Sequence, residues 1–370
     1  MAHSRLARTV MTVGLFTSWL WLGFSSPHQA AAQSLIAVDC NDASQTLSDA
    51  IRFADPGDTI QVTGTCQETV TITTDRLTID GQGSAIIDGG GFPVGSALAG
   101  VININGASGV HLTGLTVQNG PDGVLILRGA SARLTDVTSR DNADEGLQVI
   151  ENATATFSGT ILSGNNGDDG IGVFRTSSLT LDNDSVVSVF NNGDDGISVF
   201  SSVSVSMTNS TVSLDNNGRL DPFGDGMQII GMSSVSFFGT NTINVNQNTF
   251  RGIVLSNSSY LLVSDTGVVN LTNNGNDGIG IFNVSRFSLG TGTTLRSESN
   301  ADTGIVVANS AIAFCSDDST VTLLNNAVAP SFVSDNSQAS PACLEPMIAS
   351  QASPRQRTTP EPPGEEVDSY

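Results

Sequence analysis

The sequence predicts an all-β solenoid, in which similar coils stack along one axis. Acidic stretches recur along the chain, and each ends in a glycine that precedes an alternating apolar segment. These marker glycines are Gly123, Gly146, Gly170, Gly196, Gly226, Gly252, Gly278 and Gly304. They lie 23, 24, 26, 30, 26, 26 and 26 residues apart, and eight repeats at a near-fixed period indicate a solenoid.

Apolar columns after each marker glycine predict a buried strand in every coil. One residue on are Val124, Leu147, Ile171, Ile197, Met227, Ile253, Ile279 and Ile305, and three residues on are Ile126, Val149, Val173, Val199, Ile229, Leu255, Ile281 and Val307. Alternate strand residues point the same way, so both columns face the core. The intervening column must face outward: Leu125, Gln148, Gly172, Ser198, Gln228, Val254, Gly280 and Val306. Further alternating runs, such as those from Ser178 and Val203, give three short strands per coil and exclude helical repeats.

An asparagine column lies four residues before the marker glycine. Its members are Asn119, Asn142, Asn166, Asn192, Asn248, Asn274 and Asn300, and only Pro222 interrupts it. Asparagine tolerates the left-handed backbone conformation, and its amide can bond to the same amide one coil away. The column therefore predicts a structural ladder at a turn.

These repeats resemble the right-handed parallel β-helix family, the pectate-lyase-like superfolds, over residues 40 to 335. The stretch "ASQTLSDAIRFADPGDTIQV" looks like the short capping helix and first strand of that family, with Leu47, Ala50, Ile51 and Ala54 at helical spacing and Pro56-Gly57 ending the helix. The resemblance implies one right-handed parallel β-helix domain with an N-terminal capping helix, which we place at residues 33–343.

The two ends of the chain differ from the repeats in composition and pattern. Residues 1–32 resemble a secretory signal peptide, because Arg5 and Arg8 precede an apolar run and Ala30-Ala31-Ala32 offers a cleavage site. The alternative, a membrane anchor, needs about 20 apolar residues, more than this run supplies. Residues 344–370 are rich in Pro, Ser and Glu and predict a disordered tail. We therefore expect a secreted, periplasmic or cell-surface protein with no membrane span after cleavage.

Charge and cysteine content narrow the partners. Beyond residue 32 the chain has 12 arginines, no lysine and 36 acidic residues, a net charge of −24 that repels nucleic acid and anionic lipid. The four cysteines predict disulfides in an exported chain. Three pairings are possible, and proximity along the chain favours Cys40 with Cys66 and Cys315 with Cys343. A metal site at these residues is disfavoured, because no Cys-x-x-Cys spacing occurs.

Acidic residues directly before the marker glycines are the candidate functional residues. This acid column reads Asp122, Glu145, Asp169, Asp195, Asp225, Arg251, Asp277 and Thr303, and one step earlier come Asp144, Asp168, Asp194 and Asp302. Successive coils lie about 4.8 Å apart, so the carboxylates would stack. Three hypotheses follow: a solvated acidic turn, a Ca²⁺ site at Asp168, Asp169, Asp194, Asp195 and Asp225, or a catalytic pair as in glycoside hydrolysis.

Catalytic motifs of the β-helix enzymes are mostly missing. A paired Asp occurs, but the Gly-His-Gly and Arg-Ile-Lys of polygalacturonase-like members are absent, and Asp221-Pro222 only begins the Asp-Pro-His-Asp of alginate-epimerase-like members. Pectate-lyase-like members pair acidic calcium ligands with an Arg or Lys base. That resemblance makes Arg251, beside Asp225 and Asp277, a candidate base, and the alternative is an ion pair that relieves the acid column. The catalytic hypothesis thus names Asp168, Asp169, Asp194, Asp195 and Arg251.

The 30-residue step inserts "RLDPF", Arg219 to Phe223, before Gly226. Insertions in solenoids form loops on one face, often the binding face, although a simple change of turn length is the alternative. Aromatic residues that could stack on sugars are scarce, and His111 is interpreted as structural. Two functions remain: an extracellular or surface binding protein for a polysaccharide or cell-surface glycan, stabilised by calcium, or a polysaccharide lyase or glycoside hydrolase.

Overall fold

The structure is a computed structural model that describes residues 33–91, 99–334 and 336–344. The predicted signal peptide lies outside the described residues. So does the predicted tail, apart from Leu344, which ends a short helix.

Strands make up about half of the described residues and nearly all of their regular secondary structure. In chain order they begin with β1 Leu35–Asp39, β2 Thr59–Thr63, β3 Thr65–Gln67, β4 Val70–Ile72, β5 Thr78–Asp88, β6 Gly100–Asn105, β7 Val110–Gln118, β8 Asp122–Leu127, β9 Ser131–Arg140, β10 Leu147–Val149 and β11 Thr154–Gly164. They continue with β12 Ile171–Phe174, β13 Ser178–Leu181, β14 Val186–Phe190, β15 Ile197–Phe200, β16 Ser204–Thr208, β17 Thr211–Asp215, β18 Met227–Ile230, β19 Ser234–Phe238, β20 Thr242–Asn246 and β21 Ile253–Ser256. The last are β22 Tyr260–Val263, β23 Val268–Thr272, β24 Ile279–Ile281, β25 Arg286–Leu289, β26 Thr294–Glu298, β27 Thr303–Val307, β28 Ile312–Cys315, β29 Thr320–Leu324, β30 Ala329–Val333 and β31 Gln338–Ala339. The helices are α1 Leu47–Phe53 and α2 Pro341–Leu344.

Parallel pairing between successive coils builds two long sheets, one of 20 strands and one of 11. The 11-stranded sheet, called here the marker sheet, takes one strand from each coil: β4, β6, β8, β10, β12, β15, β18, β21, β24, β27 and β30. From β13 onward the larger sheet takes two strands per coil, so a regular coil has three strands. The predicted all-β parallel β-helix with a short N-terminal helix is confirmed.

The two apolar columns of the marker sheet form the core as predicted. Leu147 pairs with Ile171, Ile171 with Ile197, and Ile197 with Met227, so like side chains stack directly. Each of these four is at most 1% exposed. Full burial of such a side chain contributes roughly 1.5 to 3 kcal/mol. The pairing is kept even across the 30-residue step, where Ile197 still lies against Met227.

The column between them faces away from the core, but several of its members are not exposed to solvent. Leu125 packs with Leu127, Ile150 and Phe174 in a second apolar cluster on the outer face of the marker sheet. At Gly172 an added Cβ would lie 2.4 Å from Cε2 of Phe174, so the absent side chain makes room for the ring. The outer face is therefore covered by its own neighbouring residues.

The asparagine ladder is confirmed, with two corrections. Each rung donates from Nδ2 to Oδ1 of the next rung at 2.9–3.1 Å through Asn142, Asn166, Asn192, Asn217, Asn248, Asn274, Asn300 and Asn326. The inserted coil does not interrupt it, because Asn217 supplies the rung and the extra residues follow. Asn119 is not a rung: Gly120 occupies that place and donates its backbone N–H to Asn142, in a coil one residue shorter.

Both ends of the β-helix are closed as predicted. Helix α1 begins after Thr46, whose hydroxyl accepts from the Asp49 N–H, and it buries Leu47 and Ile51 against the first coils. The disulfides are Cys40–Cys66 and Cys315–Cys343, which confirms the favoured pairing. Within the described ranges, neither helix is long and apolar enough to cross a membrane.

Candidate functional site

The acid column lies at the corner that leads into the marker sheet, and it is buried. Asp169, Asp195, Asp225 and Asp277 are each 3% exposed or less. The hypothesis of a solvated acidic turn is therefore wrong for these residues. The preceding position, which holds Asp168 and Asp194, is half-buried.

Backbone hydrogen bonds link the column from coil to coil. Oδ1 of Asp169 accepts from the Asp195 N–H at 3.0 Å, and Oδ1 of Asp195 accepts from the Asp225 N–H at 2.6 Å. Oδ1 of Asp225 in turn accepts from the Arg251 N–H at 2.7 Å. One oxygen of each carboxylate thus holds the next coil, which gives these acids a structural task the sequence did not reveal.

Burial and mutual repulsion change how these acids ionise. Burial first, and then the charge of Asp168, raises the pKa of Asp169 well above its usual range. Burial and the charge of Asp194 do the same for the pKa of Asp195. Burial raises the pKa of Asp225 to about 7, although the nearby Arg251 opposes the rise. Removing a carboxylate from water penalises its charged form, and stacked like charges add to that penalty.

The predicted calcium ligands come together in part. Asp168, Asp169 and Asp194 each offer one carboxylate oxygen, and these oxygens lie within 4.8 Å of one another. Ca²⁺ binds oxygen at about 2.3–2.6 Å, so two of its ligands can be up to about 5 Å apart. The three residues therefore fit a Ca²⁺ ion. Asp195 and Asp225 continue the same column, where backbone N–H groups occupy one oxygen of each.

Arg251 replaces a carboxylate in the acid column and enters an aromatic environment. Its Nε lies 3.6 Å from Oδ2 of Asp277, an ion pair beyond hydrogen-bonding distance. Its guanidinium carbon lies 4.0 Å from the ring centroid of Phe250 and 5.2 Å from that of Phe282. The side chain is only 11% exposed, and its Nε has no hydrogen-bond partner among the described residues. The ion-pair interpretation is supported, and the aromatic contacts are an addition to it.

The inserted residues extend this aromatic group. The Arg219 N–H donates to the Asn192 carbonyl, and the Leu220 N–H donates to the Gly193 carbonyl, so the loop lies against the preceding coil. Phe223 packs edge-on against Phe250 at 5.4 Å between centroids and is 52% exposed. We call Phe223, Phe250, Arg251 and Phe282 the Arg251 platform.

The sequence analysis named Phe223 within the insertion but missed Phe250 and Phe282. Phe282 lies four residues after its marker glycine, a column that was not considered, and Phe250 lies two residues before its marker glycine, where only acidic residues were considered. Phe174 and Phe200 occupy the same position as Phe282, a repetition that was visible in the sequence. Contact with Phe223 depends on how the loop folds, which the repeat does not specify.

A family model described as right handed beta helix region matches residues 100–266. The match covers less than half of the chain, and the described residues have the parallel β-helix fold that this description names. A search of curated protein sequences finds no match to it.

Solved structures resemble this β-helix at low identity. A tailspike of an Acinetobacter phage is 10% identical, over 88% of this chain and 67% of that one, with a TM-score of 0.49. The catalytic domain of a GH87 alpha-1,3-glucanase is 13% identical, over 82% and 69%, with a TM-score of 0.48. Pectate lyase Pel9A is 15% identical, over 79% and 78%, with a TM-score of 0.38. These similarities concern the fold alone.

Proposed function

We propose that this protein is an exported β-helix that binds a polysaccharide or a cell-surface glycan at the Arg251 platform. The observation that carries the proposal is the Arg251 platform, where the guanidinium carbon lies 4.0 Å from the ring centroid of Phe250 and 5.2 Å from that of Phe282, and Phe223 beside Phe250 is 52% exposed. The two disulfides are compatible with an extracellular location.

The chemistry of the platform suits a sugar ring. A pyranose has an apolar face and a rim of hydroxyl groups, so it packs on an aromatic side chain while its oxygens accept hydrogen bonds. Phe223 offers an exposed aromatic surface next to Phe250. A guanidinium has five N–H donors in a planar fork, which makes Arg251 the natural donor to sugar oxygens.

A glycan array tests the proposal directly. We expect the purified, disulfide-bonded protein to bind one class of glycan, and Phe223→Ala to weaken that binding at least tenfold because the exposed ring is lost. Phe238→Ala is the matched control, since Phe238 is 41% exposed on β19, in the other sheet. Binding to no glycan, or equal weakening by both variants, would contradict the proposal.

Calcium is the proposed cofactor, bound by Asp168, Asp169 and Asp194 with Asp195 and Asp225 in the adjoining coils. The convergence of three carboxylate oxygens within 4.8 Å supports this assignment. A bound cation would relieve the repulsion that raises the pKa of Asp169, and it would fix one corner of the coils that precede the platform.

A second candidate function is carbohydrate cleavage by a lyase or hydrolase. The pKa of about 7 at Asp225, beside Arg251, favours it, because a general acid or base works best when its pKa is near the working pH. The proposed catalytic residues are Asp168, Asp169, Asp194, Asp195 and Arg251.

Polyuronates and neutral glucans, incubated with the protein and calcium, test this candidate. We expect unsaturated or reducing ends to appear, and the Asp194→Ala, Asp195→Ala double variant to release none. Binding on the array without any released product would reject catalysis and leave the binding function intact.

A further inference from the structure

A second group of acids lies in two neighbouring coils, three and four coils before the one that contains the insertion. Asp122 and Glu145 are buried, at 3% and 0% exposure, and Asp144 is half-buried beside them. One carboxylate oxygen from each of the three lies within 4.8 Å of the other two. That spacing lets all three bind one ion at calcium–oxygen distances, and Asp144 marks the side that is open to solvent.

Gln148 adds an independent indication that a ligand belongs here. Its side chain is 2% exposed, and its Nε2 donates to Oε1 of Glu145 at 2.5 Å. Its Oε1 is buried and has no hydrogen-bond partner among the described residues. Burying an unpaired amide oxygen costs about 1–3 kcal/mol. The hydrogen bond from Nε2 places the amide group of Gln148 at the Glu145 carboxylate, and its unpartnered oxygen belongs to the same buried group.

We propose that Asp122, Asp144, Glu145 and Oε1 of Gln148 form a Ca²⁺ site of their own, separate from the one at Asp168. A cation would supply the partner that the amide oxygen lacks. Three carboxylates and a neutral amide are hard oxygen ligands, and Ca²⁺ accepts six to eight of them in flexible geometry, with water completing the shell. Zn²⁺ favours nitrogen and sulfur ligands, which this group does not contain.

The Gln148 position differs among coils in a way that singles out this group. In the next two coils its place is taken by Gly172 and Ser198, which lack an amide oxygen. Gln228 takes the place one coil later, but there the guanidinium of Arg251 lies near Asp225 and supplies positive charge. Among these four coils, only that of Gln148 has an amide oxygen at this position and no arginine among the main charges that shift the pKa values of its buried acids.

Calorimetric titration with CaCl₂ alone tests the site, in a protein whose other calcium site has been removed by Asp168→Asn and Asp194→Asn. We expect this double variant to bind one calcium ion, and the further change Gln148→Leu to weaken that binding at least tenfold. Gln228→Leu in the same background is the matched control and should leave the affinity unchanged.

Two outcomes would overturn the site: no calcium bound by the double variant, or equal affinity with and without Gln148→Leu. Should Gln148→Leu fail to fold, as judged by circular dichroism, Asp144→Asn takes its place. Asp144 is half-buried, so the fold should tolerate an asparagine at this position. This variant should also weaken calcium binding at least tenfold. The inference is independent of the glycan proposal, because the titration contains no sugar and the glycan array does not depend on Asp122, Glu145 or Gln148.

Discussion

Two stretches of the acid column share one backbone plan and differ in charge. In the coils of Asp169 and Asp195, carboxylate stacks on carboxylate, and burial with repulsion raises the pKa of both acids. One coil beyond Asp225, Arg251 occupies the same position, pairs with Asp277 and stacks on Phe250. The hydrogen bond from backbone N–H to carboxylate runs as far as the Arg251 N–H and resumes between Thr303 and Asp277, because the arginine side chain has no oxygen to accept it. The coil therefore sets the geometry of the corner, whereas one side chain per coil sets its chemistry.

Among changes to these two stretches, removal of Arg251 should lower the free energy of unfolding most. We expect Arg251→Met to lower the free energy of unfolding by about 3 kcal/mol at pH 8, because Asp277, whose side chain is fully buried, loses its positive partner. Urea unfolding measures the loss. Arg133→Met is the control, since the Arg133–Asp182 pair is exposed on both sides and should contribute under about 1 kcal/mol. Similar losses in both variants would show that Arg251 is not a buried ion-pair partner.

The pH dependence of stability should come from the raised pKa of Asp225. The folded protein keeps a proton on Asp225 up to about pH 7, whereas the unfolded chain releases it near its ordinary pKa of 3.8. The folded state therefore binds more protons in that window, and the free energy of unfolding falls as the pH rises through it. Between pH 5 and 8 we expect Asp225→Asn to remove about 2 to 3 kcal/mol of that fall.

Urea unfolding in EDTA at both pH values is the measurement. Asp169→Asn, in the stretch without arginine, should change the slope in the same direction, because the pKa of Asp169 is also raised. An unchanged slope in both variants would mean that these acids ionise normally in the folded protein.

Calcium should stabilise the acid-on-acid stretch and leave the arginine stretch unaffected. With 10 mM Ca²⁺, a site of extracellular affinity adds about 1 to 3 kcal/mol and raises Tm, and EDTA reverses the rise. We expect Asp168→Asn with Asp194→Asn to remove part of this increment in a thermal melt. Asp302→Asn, at the corresponding position beyond the arginine, should keep all of it. If calcium raises the Tm of the double variant as much as that of the unchanged protein, the ion does not bind at Asp168 and Asp194.

The addition of a single methyl group should have the smallest effect on stability, and its effect on glycan binding should distinguish the two stretches. Gly172→Ala brings a Cβ to 2.4 Å from the Phe174 ring, and Gly280→Ala brings one to 2.5 Å from the Phe282 ring and 3.3 Å from Cδ of Arg251. We expect each to cost about 1 kcal/mol of stability, because only a ring must move. Glycan binding should fall only in Gly280→Ala, which disturbs the Arg251 platform. Equal glycan binding by both variants would show that the glycan does not bind at the Arg251 platform.

The repeat made the fold predictable, because marker glycines, alternating apolar residues and asparagines must all agree at one spacing. It misplaced Asn217 and Gly120, since counting back from a marker glycine fails where a coil gains or loses residues. The repeat also did not predict the burial of Asp169 and Asp195. A sequence typical of a turn does not indicate whether the next coil covers that turn. The Arg251 platform could be predicted only in part. Arg251 and the insertion stand out in the sequence, but the contact with Phe223 depends on how the loop folds.

The paired disulfides have a consequence for how the molecule comes apart. A solenoid in which each coil touches only its neighbours loses structure from its ends, where a coil has one neighbour instead of two. Cys40–Cys66 and Cys315–Cys343 fasten those two ends, each across a single coil, and leave the long middle without covalent links. Fraying is thereby blocked where it would begin. The lifetime of the folded protein then depends on the rate at which interior coils separate, and reduction of the disulfides would allow unfolding to begin at the ends.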